Sequence, residues 1–451
     1  MEQDKNVETT SSHADLTFRT DDDQPLDQND LHEGLEYIIF GHNFNQYFGK
    51  VTLPKSVKRI VFGYKFNQYI CANALPERLE SIIFGHEFNQ CIEEDVLPIS
   101  VNYIEFGEKF NQYIGTNVLP ESLKYIIFGR NFDHPIDQNV LPEGLESIIF
   151  KGRFDQYIGE NVLPNYLKSI VFGYKFNQPI ERNTFPDSLE SIIFGYDFNQ
   201  PIHENTLPKS LKHVKFSYNF NQTIGPNTIP EGTESIVFPD YNKPICKNVL
   251  PKSLKRLVFE ENFNQRIDEH CLPEHLESIV LGKSFEQQIG ENVLPKSLKH
   301  IDFGFRFNMC IGENVLPNRI ISIKFGGYYD QPIITMFLPD SVEKISFGRY
   351  FGATILPECL PSNLRCLVFM NSNLLVSLNH VVQSLNITVI LKGEISLVNI
   401  TYPVLMLHSC KYKTSSAYET IGTETIDGEK YYKLINPKTY QPMICAKSAR
   451  K

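Results

Sequence analysis

One 22-residue pattern recurs sixteen times between Leu31 and Phe369, and this period constrains the fold more than any other feature of the chain. It reads approximately L-P-x-S-L-x-x-I-x-F-G-x-x-F-N-Q-x-I-x-x-N-V. A fixed period of this length is typical of a solenoid, in which each copy forms one coil and stacks on its neighbours. We number each copy from its first residue as position 1. The copies begin at Leu31, Leu53, Leu75, Leu97, Leu119, Leu141, Leu163, Phe185, Leu207, Ile229, Leu250, Leu272, Leu294, Leu316, Leu338 and Leu360.

The apolar residues predict one short strand per coil. They fall at positions 1, 5, 8, 10, 14 and 18, and the alternation at 8 and 10 is typical of a strand over positions 7–10. Pro at position 2 fixes its own φ and lacks an N–H, so it suits the bend that enters the strand. Because a full coil separates successive strands, they can pair only in parallel. The sequence therefore predicts a β-rich solenoid of about sixteen coils that form one parallel sheet.

Aromatic residues support this alignment of the copies. Position 10 is Phe in 15 of 16 copies, and position 14 is Phe in 13 of 15, with Tyr241 and Tyr329 as substitutes. We expect two stacked columns inside the coils, where burial of each ring contributes ~1.5 to 3 kcal/mol before entropy is counted. An Asn often follows the second Phe, and we expect its amide to satisfy backbone groups at the bend. These residues are Asn45, Asn67, Asn89, Asn111, Asn177, Asn199, Asn221, Asn264 and Asn308.

The tract F-N-Q-x-I, preceded by LPxxLxxIxFG, carries a specific resemblance. It reads FNQPI at Phe176 and at Phe198. The tract resembles the FNIP repeat, a leucine-rich-repeat-like unit abundant in social amoebae and amoeba-infecting giant viruses. The resemblance covers residues 31 to about 370 and implies a solenoid interaction surface. In some relatives an N-terminal F-box makes the repeats a substrate receptor for a ubiquitin ligase, but the thirty residues before Leu31 lack the Leu-rich helical pattern of an F-box.

The segments on either side of the repeats differ from them in composition. Residues 1–30 hold nine acids against two basic residues, and we expect an acidic, disordered tail. The repeats occupy residues 31–369, after which the pattern is no longer recognisable. Within residues 370–451 the sequence predicts a helix and three strands, which would make a small α+β cap for the last coil. The helix is expected at Leu374–Leu385, and the strands at Ile387–Leu391, Ile395–Val398 and Val404–Leu407.

Composition points to a soluble intracellular protein. The sequence shows no apolar run long enough to span a membrane and no secretory leader at its N-terminus. The nine cysteines are scattered without the clustered spacing of a disulfide framework or a zinc site, so we expect free thiols in a reducing compartment, the cytoplasm. A mild basic excess in residues 403–451 matches no nucleic-acid recognition motif. We expect a monomer without cofactor or metal.

No catalytic constellation emerges from the sequence. Histidines such as His86 occur at variable positions of separate copies, and no Gly-rich phosphate loop follows a strand. The alternative that stays open is a carbohydrate-active parallel β-helix enzyme, which would need paired carboxylates from neighbouring coils. At position 9, which faces out of the sheet, the acids are only Glu105 and Asp302. We therefore expect a protein that is not an enzyme.

Positions 7 and 9 predict a binding surface, because they point away from the buried positions 8 and 10. Position 9 is Ile or Val in 11 of 16 copies, which makes an apolar ridge. Two interpretations stay open: β-branched residues favour strands, and long exposed apolar stripes mark protein contacts. Aromatic and Arg residues, which commonly anchor interfaces, stand beside the ridge at position 7. The candidate partner-binding residues are Arg59, Tyr103, Glu105, Tyr125, Ile127, Ile149, Val171, His213, Lys215, Arg256, His300 and Asp302.

Position 6 carries an alternation of charge. Glu and Lys follow one another along most of the array, so that eleven of the fifteen neighbouring pairs are opposite in charge and none is alike. Neighbouring strands lie ~5 Å apart in a parallel stack, so this column would be attractive along its length. Descent from a duplicated 44-residue pair would leave the same pattern. The function that all these features predict is a protein-interaction scaffold of unidentified partner, with a substrate-receptor role in ubiquitin ligation implied only by the resemblance.

Overall fold

The computed structural model describes residues 17–20, 23, 31–47 and 53–370, together with five strands between residues 388 and 446. The chain divides into two compact units, Met1–Thr233 and Glu234–Lys451, which we call the first and the second unit. Each repeat copy contributes one strand, β2 to β17, so sixteen of the strands come from the sixteen copies. The predicted β-solenoid with a parallel sheet is confirmed.

Strands β1 to β10 belong to the first unit: Thr17–Thr20, Tyr37–Phe40, Arg59–Val61, Ser81–Ile83, Tyr103–Glu105, Tyr125–Phe128, Ser147–Phe150, Ser169–Val171, Ser191–Ile193 and His213–Lys215. Strands β11 to β22 belong to the second unit: Ser235–Phe238, Arg256–Phe259, Ser278–Val280, His300–Asp302, Ser322–Lys324, Lys344–Phe347, Cys366–Phe369, Thr388–Lys392, Leu405–His408, Glu419–Ile426, Glu429–Asn436 and Gln441–Ala446. A single 3₁₀ turn, Pro357–Cys359, is described in the second unit. The strands of the repeats fall at positions 7–10, as predicted.

Within each unit the repeat strands pair in parallel and in constant register. Ser147 of β7 lies opposite Tyr125 of β6, and Ser169 of β8 lies opposite Ser147. The same position of successive copies therefore forms a column along the sheet. Backbone hydrogen bonds continue beyond the strands, since the position 13 N–H donates to the position 12 carbonyl of the coil before, as Lys65 does to His42 at 3.0 Å. The columns read from the sequence are thus columns in space.

The parallel ladder extends past both ends of the recognisable repeats. Four residues of the acidic N-terminal segment form β1, which pairs in parallel with β2, so the expected absence of structure does not hold for Thr17–Thr20. In the second unit β18 and β19 continue the parallel pairing, and Thr388 pairs with Cys366, 22 residues earlier. Strands β20, β21 and β22 pair antiparallel. Strands occur near the positions predicted for Ile387–Leu391 and Val404–Leu407, whereas the predicted helix at 374–385 and strand at 395–398 lie outside the described residues.

The core consists of the two predicted aromatic columns. Phe172, at position 10, lies 3.9 Å between ring centroids from Phe176, at position 14 of the same coil. Its ring also stacks on the position 10 rings of the neighbouring coils, Phe150 at 6.2 Å and Phe194 at 5.9 Å. These side chains are at most 3% exposed. Stacked rings at these separations add to the stabilisation that comes from burial alone.

Glycine at position 11 has a steric cause. A Cβ built on Gly85 would lie 1.8 Å from the carbonyl oxygen of Gly63 in the preceding coil, and one on Gly107 would lie 1.7 Å from that of Gly85. At these two glycines the coils approach so closely that a side chain would fit only with a shift of the backbone. The Gly85 carbonyl also accepts a hydrogen bond from the N–H of Phe88, which closes the bend after the strand. Position 11 therefore sets the spacing between coils.

Asparagines satisfy the backbone at two bends. At position 15 the predicted ladder is confirmed: Asn67 Oδ1 accepts from the Asn89 backbone N–H at 2.8 Å and from Gln90 Nε2 at 3.1 Å. Asp23 begins this ladder by accepting from the Asn45 N–H at 2.9 Å. At position 21, twelve residues adopt a left-handed backbone with φ between 57° and 65°, and ten of them are Asn. Asn tolerates this conformation better than other side-chain-bearing residues, which explains the second asparagine column.

Candidate functional site

The outward face of the sheet is formed by positions 7 and 9. In β6 the four residues alternate as exposed, buried, half-buried and buried, and Tyr125 at position 7 is 47% exposed. Position 8 is almost fully buried throughout, as at Ile126 and Ile148. Position 8 is thus the inward position, as predicted, whereas position 9 is half-buried in most repeat strands and is buried at Val258 and Val368, where the predicted outward placement does not hold.

The structure places all twelve candidate partner-binding residues on this outward face. In the first unit three are exposed at position 7, namely Arg59, Tyr125 and His213, and six are half-buried, namely Tyr103, Glu105, Ile127, Ile149, Val171 and Lys215. In the second unit Arg256 and His300 are exposed and Asp302 is half-buried. The division of the chain thus separates the candidates into a larger group of nine and a smaller group of three.

An apolar ridge occupies the middle of the first unit's outward face. Ile127, Ile149 and Val171 are direct neighbours in register on β6, β7 and β8. Beside two of them stand Ser147 and Ser169, whose short side chains leave the aliphatic groups accessible from one side. Adjacent strands lie ~4.8 Å apart, so the three side chains cover a continuous strip of about 10 Å. We call these three residues the ridge.

A polar network lies at one end of the ridge. Glu105 Oε2 accepts a hydrogen bond from Tyr103 Oη at 3.0 Å, and Glu105 Oε1 accepts one from Lys151 Nζ at 2.7 Å. Lys151 occupies position 11, where most copies have Gly, and its ammonium also lies 3.9 Å from Glu108. Burial, together with the hydrogen bond to Glu105, raises the pKa of Tyr103 to about 12. Both carboxylate oxygens of Glu105 are therefore already engaged within the chain.

In the second unit the acid at position 9 is likewise paired. Asp302 Oδ2 accepts a hydrogen bond from Lys324 Nζ at 2.8 Å, and Asp302 Oδ1 accepts from the Gly304 N–H at 3.0 Å. Asp302 and Lys324 are the position 9 residues of neighbouring strands. The two outward acids that the sequence singled out thus act first as ion-pair partners inside the fold.

Aromatic residues at position 12, most of them exposed, were missed by the sequence reasoning. In the first unit His42, Tyr64 and His86 stack at 4.8 and 4.3 Å between centroids. A second stack contains Tyr174, Tyr196 and Tyr218 at 5.0 and 4.9 Å. The recurrence of aromatic residues at one variable position of the period was the signal that could have revealed them. Within each stack the middle ring, Tyr64 or Tyr196, is covered on both faces by its neighbours.

The described residues hold neither a metal cluster nor a helix that could span a membrane. No group of three or more His, Cys, Asp or Glu side chains among them could hold a metal ion. The seven cysteines in this part of the chain are free thiols. None of the helical residues in the same part makes a helix that is long and apolar enough to cross a bilayer.

Comparison with solved structures supports the fold. The chain is 39% identical to CroV588, a protein of a giant virus described as a novel circular LRR protein, with a TM-score of 0.64. The match covers 78% of this chain and 59% of CroV588, so the chain spans somewhat more than half of that protein's length. Toll from the Drosophila Toll–Spatzle complex, at 12% identity, and InlJ from Listeria monocytogenes, at 9% identity, have TM-scores of 0.46 and 0.41, too low to carry an argument. The match with Toll covers 80% of this chain and 57% of Toll. The match with InlJ covers 87% of this chain and 85% of InlJ. No curated protein matches significantly.

Comparison with protein-family models identifies the repeats. The FNIP repeat model matches residues 23–65, 66–109, 110–152, 154–197, 198–241, 220–262, 241–279, 263–306 and 307–350. Most of these matches begin at the position 14 Phe and extend over two coils, so the unit of the model corresponds to a 44-residue pair. They cover well over half of the chain. The chain therefore belongs to the FNIP repeat family.

Proposed function

We propose that the chain is a non-enzymatic scaffold that binds a partner protein on the outward face of its first unit, with the ridge of Ile127, Ile149 and Val171 at the centre of the contact. The observation that carries the proposal is that three aliphatic side chains lie next to one another on the outward face, while the alternate residues of the same strands are buried on the inner face. Solenoids present extended surfaces of this kind to their partners.

The residues around the ridge suit an interface. Tyr125 is exposed beside Ile127, and Arg59 and His213 are exposed farther along the same face. Interfaces commonly combine an apolar centre with Tyr and Arg anchors and a polar rim. The network of Glu105, Tyr103 and Lys151 supplies such a polar boundary. These features support a protein partner.

The carbohydrate-active alternative receives less support. Glycoside hydrolysis requires two carboxyl groups, one of them protonated, on either side of a sugar linkage. The ammonium of Lys151 lies 2.7 Å from Glu105 and 3.9 Å from Glu108, so both carboxylates are already engaged in ion pairs within the chain. In the two position 12 stacks the middle rings, Tyr64 and Tyr196, are covered on both faces and offer neither to a sugar. A narrower version of the scaffold proposal, a substrate receptor in ubiquitin ligation, rests on analogy with relatives that carry an F-box.

The test compares affinity capture by variants of the full chain. The change of Ile127, Ile149 and Val171 together to Thr should lower the yield of the partner by about tenfold or more, which corresponds to a loss of ~1.4 kcal/mol of binding free energy. The melting temperature should stay within a few degrees, because the three side chains are only half-buried. A control with Ile99→Thr and Tyr166→Ser removes apolar side chains that are 79% and 67% exposed elsewhere in the same unit.

The outcomes separate the possibilities. Capture that falls with the ridge variant and not with the control supports the proposal, and co-purification of ubiquitin-ligase subunits would support the narrower version. Unchanged capture by the folded ridge variant would remove the ridge from the interface. Retention of glycans in place of a discrete protein would favour the carbohydrate alternative.

A further inference from the structure

A second surface of different chemistry lies in the second unit. A cavity of about 830 Å³ runs across the ends of strands β12 to β17 on the outward side. Its floor follows the position 11 glycines Gly304, Gly326 and Gly348, where a Cβ would clash with the backbone of the preceding coil. It ends where position 11 is no longer glycine, at Glu260 on one side and Met370 on the other. We call this cavity the groove.

The length of the groove is set by the repeat. Five steps between strands of ~4.8 Å give about 24 Å from β12 to β17. An extended polypeptide advances ~3.3 Å per residue, so about seven residues match this length. The volume alone would also suit a compact small molecule. The lining spreads over six strands, which favours a long occupant over a compact one.

Apolar side chains line the groove and remain accessible. Phe305 is 44% exposed and Met370 is 39% exposed. The ring of Phe305 lies over Gly327, where a Cβ would be 2.3 Å from Phe305 Cε2. It also meets Tyr328 edge to face at 5.1 Å. Gly327 therefore makes room for the ring of Phe305, which the fold leaves partly exposed to solvent. This arrangement is expected of an interface anchor.

The charges give the groove a direction. Near Glu260 the ammonium of Lys283 is paired with Glu261, and at the middle Lys324 is paired with Asp302. At the Met370 end stands Arg349, which is exposed and has no carboxylate within ion-pair distance among the residues described in this unit. An Arg guanidinium in this setting is complementary to a carboxylate, which it can bind through two hydrogen bonds.

We infer that the groove binds an extended peptide segment of a partner protein, about seven residues long, rich in apolar side chains and carrying an acidic residue that pairs with Arg349. Phe305 and Met370 contact the apolar side chains, and Arg349 fixes the direction of the peptide. This inference deepens the proposed function and rests on it in taking the outward side as a protein-binding surface. The groove and the ridge belong to different units and are separable by mutation.

The first experiment selects a random seven-residue peptide library against the full chain. Enriched peptides should combine aromatic or aliphatic residues with Asp or Glu. Synthetic versions should bind the Phe305→Ala and Arg349→Glu variants about tenfold more weakly in fluorescence polarisation, since an anchor of this kind contributes more than ~1 kcal/mol. Arg319→Glu makes the same change of charge at an exposed residue outside the groove and should leave binding unchanged. The ridge variant should also bind the peptides normally.

A second measurement isolates the charge contact. Replacement of the acidic residue of a selected peptide by Gln should weaken its binding to the parent chain and have no further effect on Arg349→Ala. This double-mutant cycle remains informative if Phe305→Ala fails to fold. Peptides that bind the groove variants as tightly as the parent, or a library that yields no enrichment, would overturn the inference. A dimer of the chain that Phe305→Ala dissociates, or tight binding of a small apolar dye without peptide binding, would assign the groove to another occupant.

Loss of partner capture in the ridge variant with intact peptide binding would support the proposed function and the groove together. If the ridge variant keeps both peptide binding and partner capture, the groove is supported as a binding surface. The same result contradicts the proposed role of the ridge.

Discussion

Lys168 Nζ lies 2.8 Å from Oε2 of Glu146, the residue at the same position of the preceding coil. The same contact, from a basic residue to the Glu one coil earlier, recurs along the position 6 column of both units. It joins Lys58 to Glu36, Lys212 to Glu190, Lys255 to Glu234, Lys299 to Glu277 and Arg365 to Glu343. The alternating column is therefore divided into pairs of coils. Only Lys124, at 3.6 Å from Glu146, reaches in the other direction in the described part.

Reversal of two of these lysines tests whether the pairs contribute to stability. The variant Lys168→Glu with Lys212→Glu creates a run of four like charges from Glu146 in the first unit. Each exposed pair contributes only about 0.2 to 1 kcal/mol, but the variant loses two pairs and also places like charges next to one another. Its melting temperature should therefore fall clearly at low salt. The fall should be much smaller at ~1 M NaCl, where the Debye length is ~3 Å. The control Lys55→Glu with Lys209→Glu makes the same change of net charge at exposed residues. Equal melting of the two variants at low salt would show that the alternation only records duplication.

Removal of one core ring tests the aromatic columns. Phe172→Ala should lower the free energy of unfolding by about 3 to 5 kcal/mol, because a large buried side chain leaves a cavity that rigid neighbouring rings cannot fill. Coils contact only their neighbours, so hydrogen exchange should rise most in the coils that contain Phe150 and Phe194. Uniform loss of protection over the whole unit would mean that the coils unfold as one cooperative block.

Two glycines provide a matched test of the coil spacing. Gly85→Ala would place a Cβ 1.8 Å from the Gly63 carbonyl oxygen, whereas Gly115→Ala would place one 3.8 Å from its nearest neighbour, in the Tyr113 ring. The first change should destabilise by about 3 kcal/mol, the upper part of the range for overpacking, and the second should be nearly neutral. Thermal melts of the two variants provide the comparison. A tolerated Gly85→Ala would mean that adjacent coils can separate at low cost.

The sequence was sufficient for the fold because every level of the pattern points to the same structure. Period 22 defines the coil, alternation at positions 8 and 10 defines the strand, and the Phe columns define the inside. Strand β1 was missed, and β18 was predicted as a strand but not as a continuation of the parallel ladder, for one physical reason. Backbone pairing needs no particular side chain, so β1 and β18 can extend the ladder where the repeat motif has faded.

The site was harder to predict than the fold. The outward direction of Ile127 follows from strand geometry, but the pairing of Glu105 with Lys151 joins residues two coils apart and depends on a Lys at a position that is usually Gly. The groove was also difficult to predict, because its floor is formed by glycines and so depends on the absence of side chains. Sequence patterns describe which side chains are present at each position. They do not show the space that a run of glycines leaves beside Phe305.

The asparagine ladder can be tested by a change of one atom. Asn89 uses its Oδ1 to accept from the Asn111 N–H at 2.8 Å and from Gln112 at 3.1 Å. Asp155 already fills the same role for Asn177 at 2.8 Å. Asn89→Asp should therefore melt close to the parent at neutral pH, whereas Asn89→Leu leaves the Asn111 N–H without its acceptor and should cost about 1 to 3 kcal/mol. Equal destabilisation by Asp and Leu would show that the Asn89 amide nitrogen, not the oxygen, is the essential group.

Acid should weaken the position 6 pairs in a defined direction. The hydrogen bond from Lys168 holds the pKa of Glu146 below its ordinary value of 4.5, and the hydrogen bond from Lys212 does the same for Glu190. Because the unfolded chain then binds protons more readily than the folded one, the stability from these pairs is present above pH 4.5 and is lost as the pH falls through the lowered pKa values. The variant Glu146→Gln with Glu190→Gln should melt slightly below the parent at pH 7 and lose less stability than the parent between about pH 5 and pH 3. Glu121→Gln with Glu143→Gln removes two carboxylates of the same unit that form no ion pair among the described contacts, and it should keep the parent's acid dependence more closely. If all three proteins lose stability in parallel on acidification, other carboxylates govern the acid transition and the Glu–Lys pairs have no measurable linkage to pH.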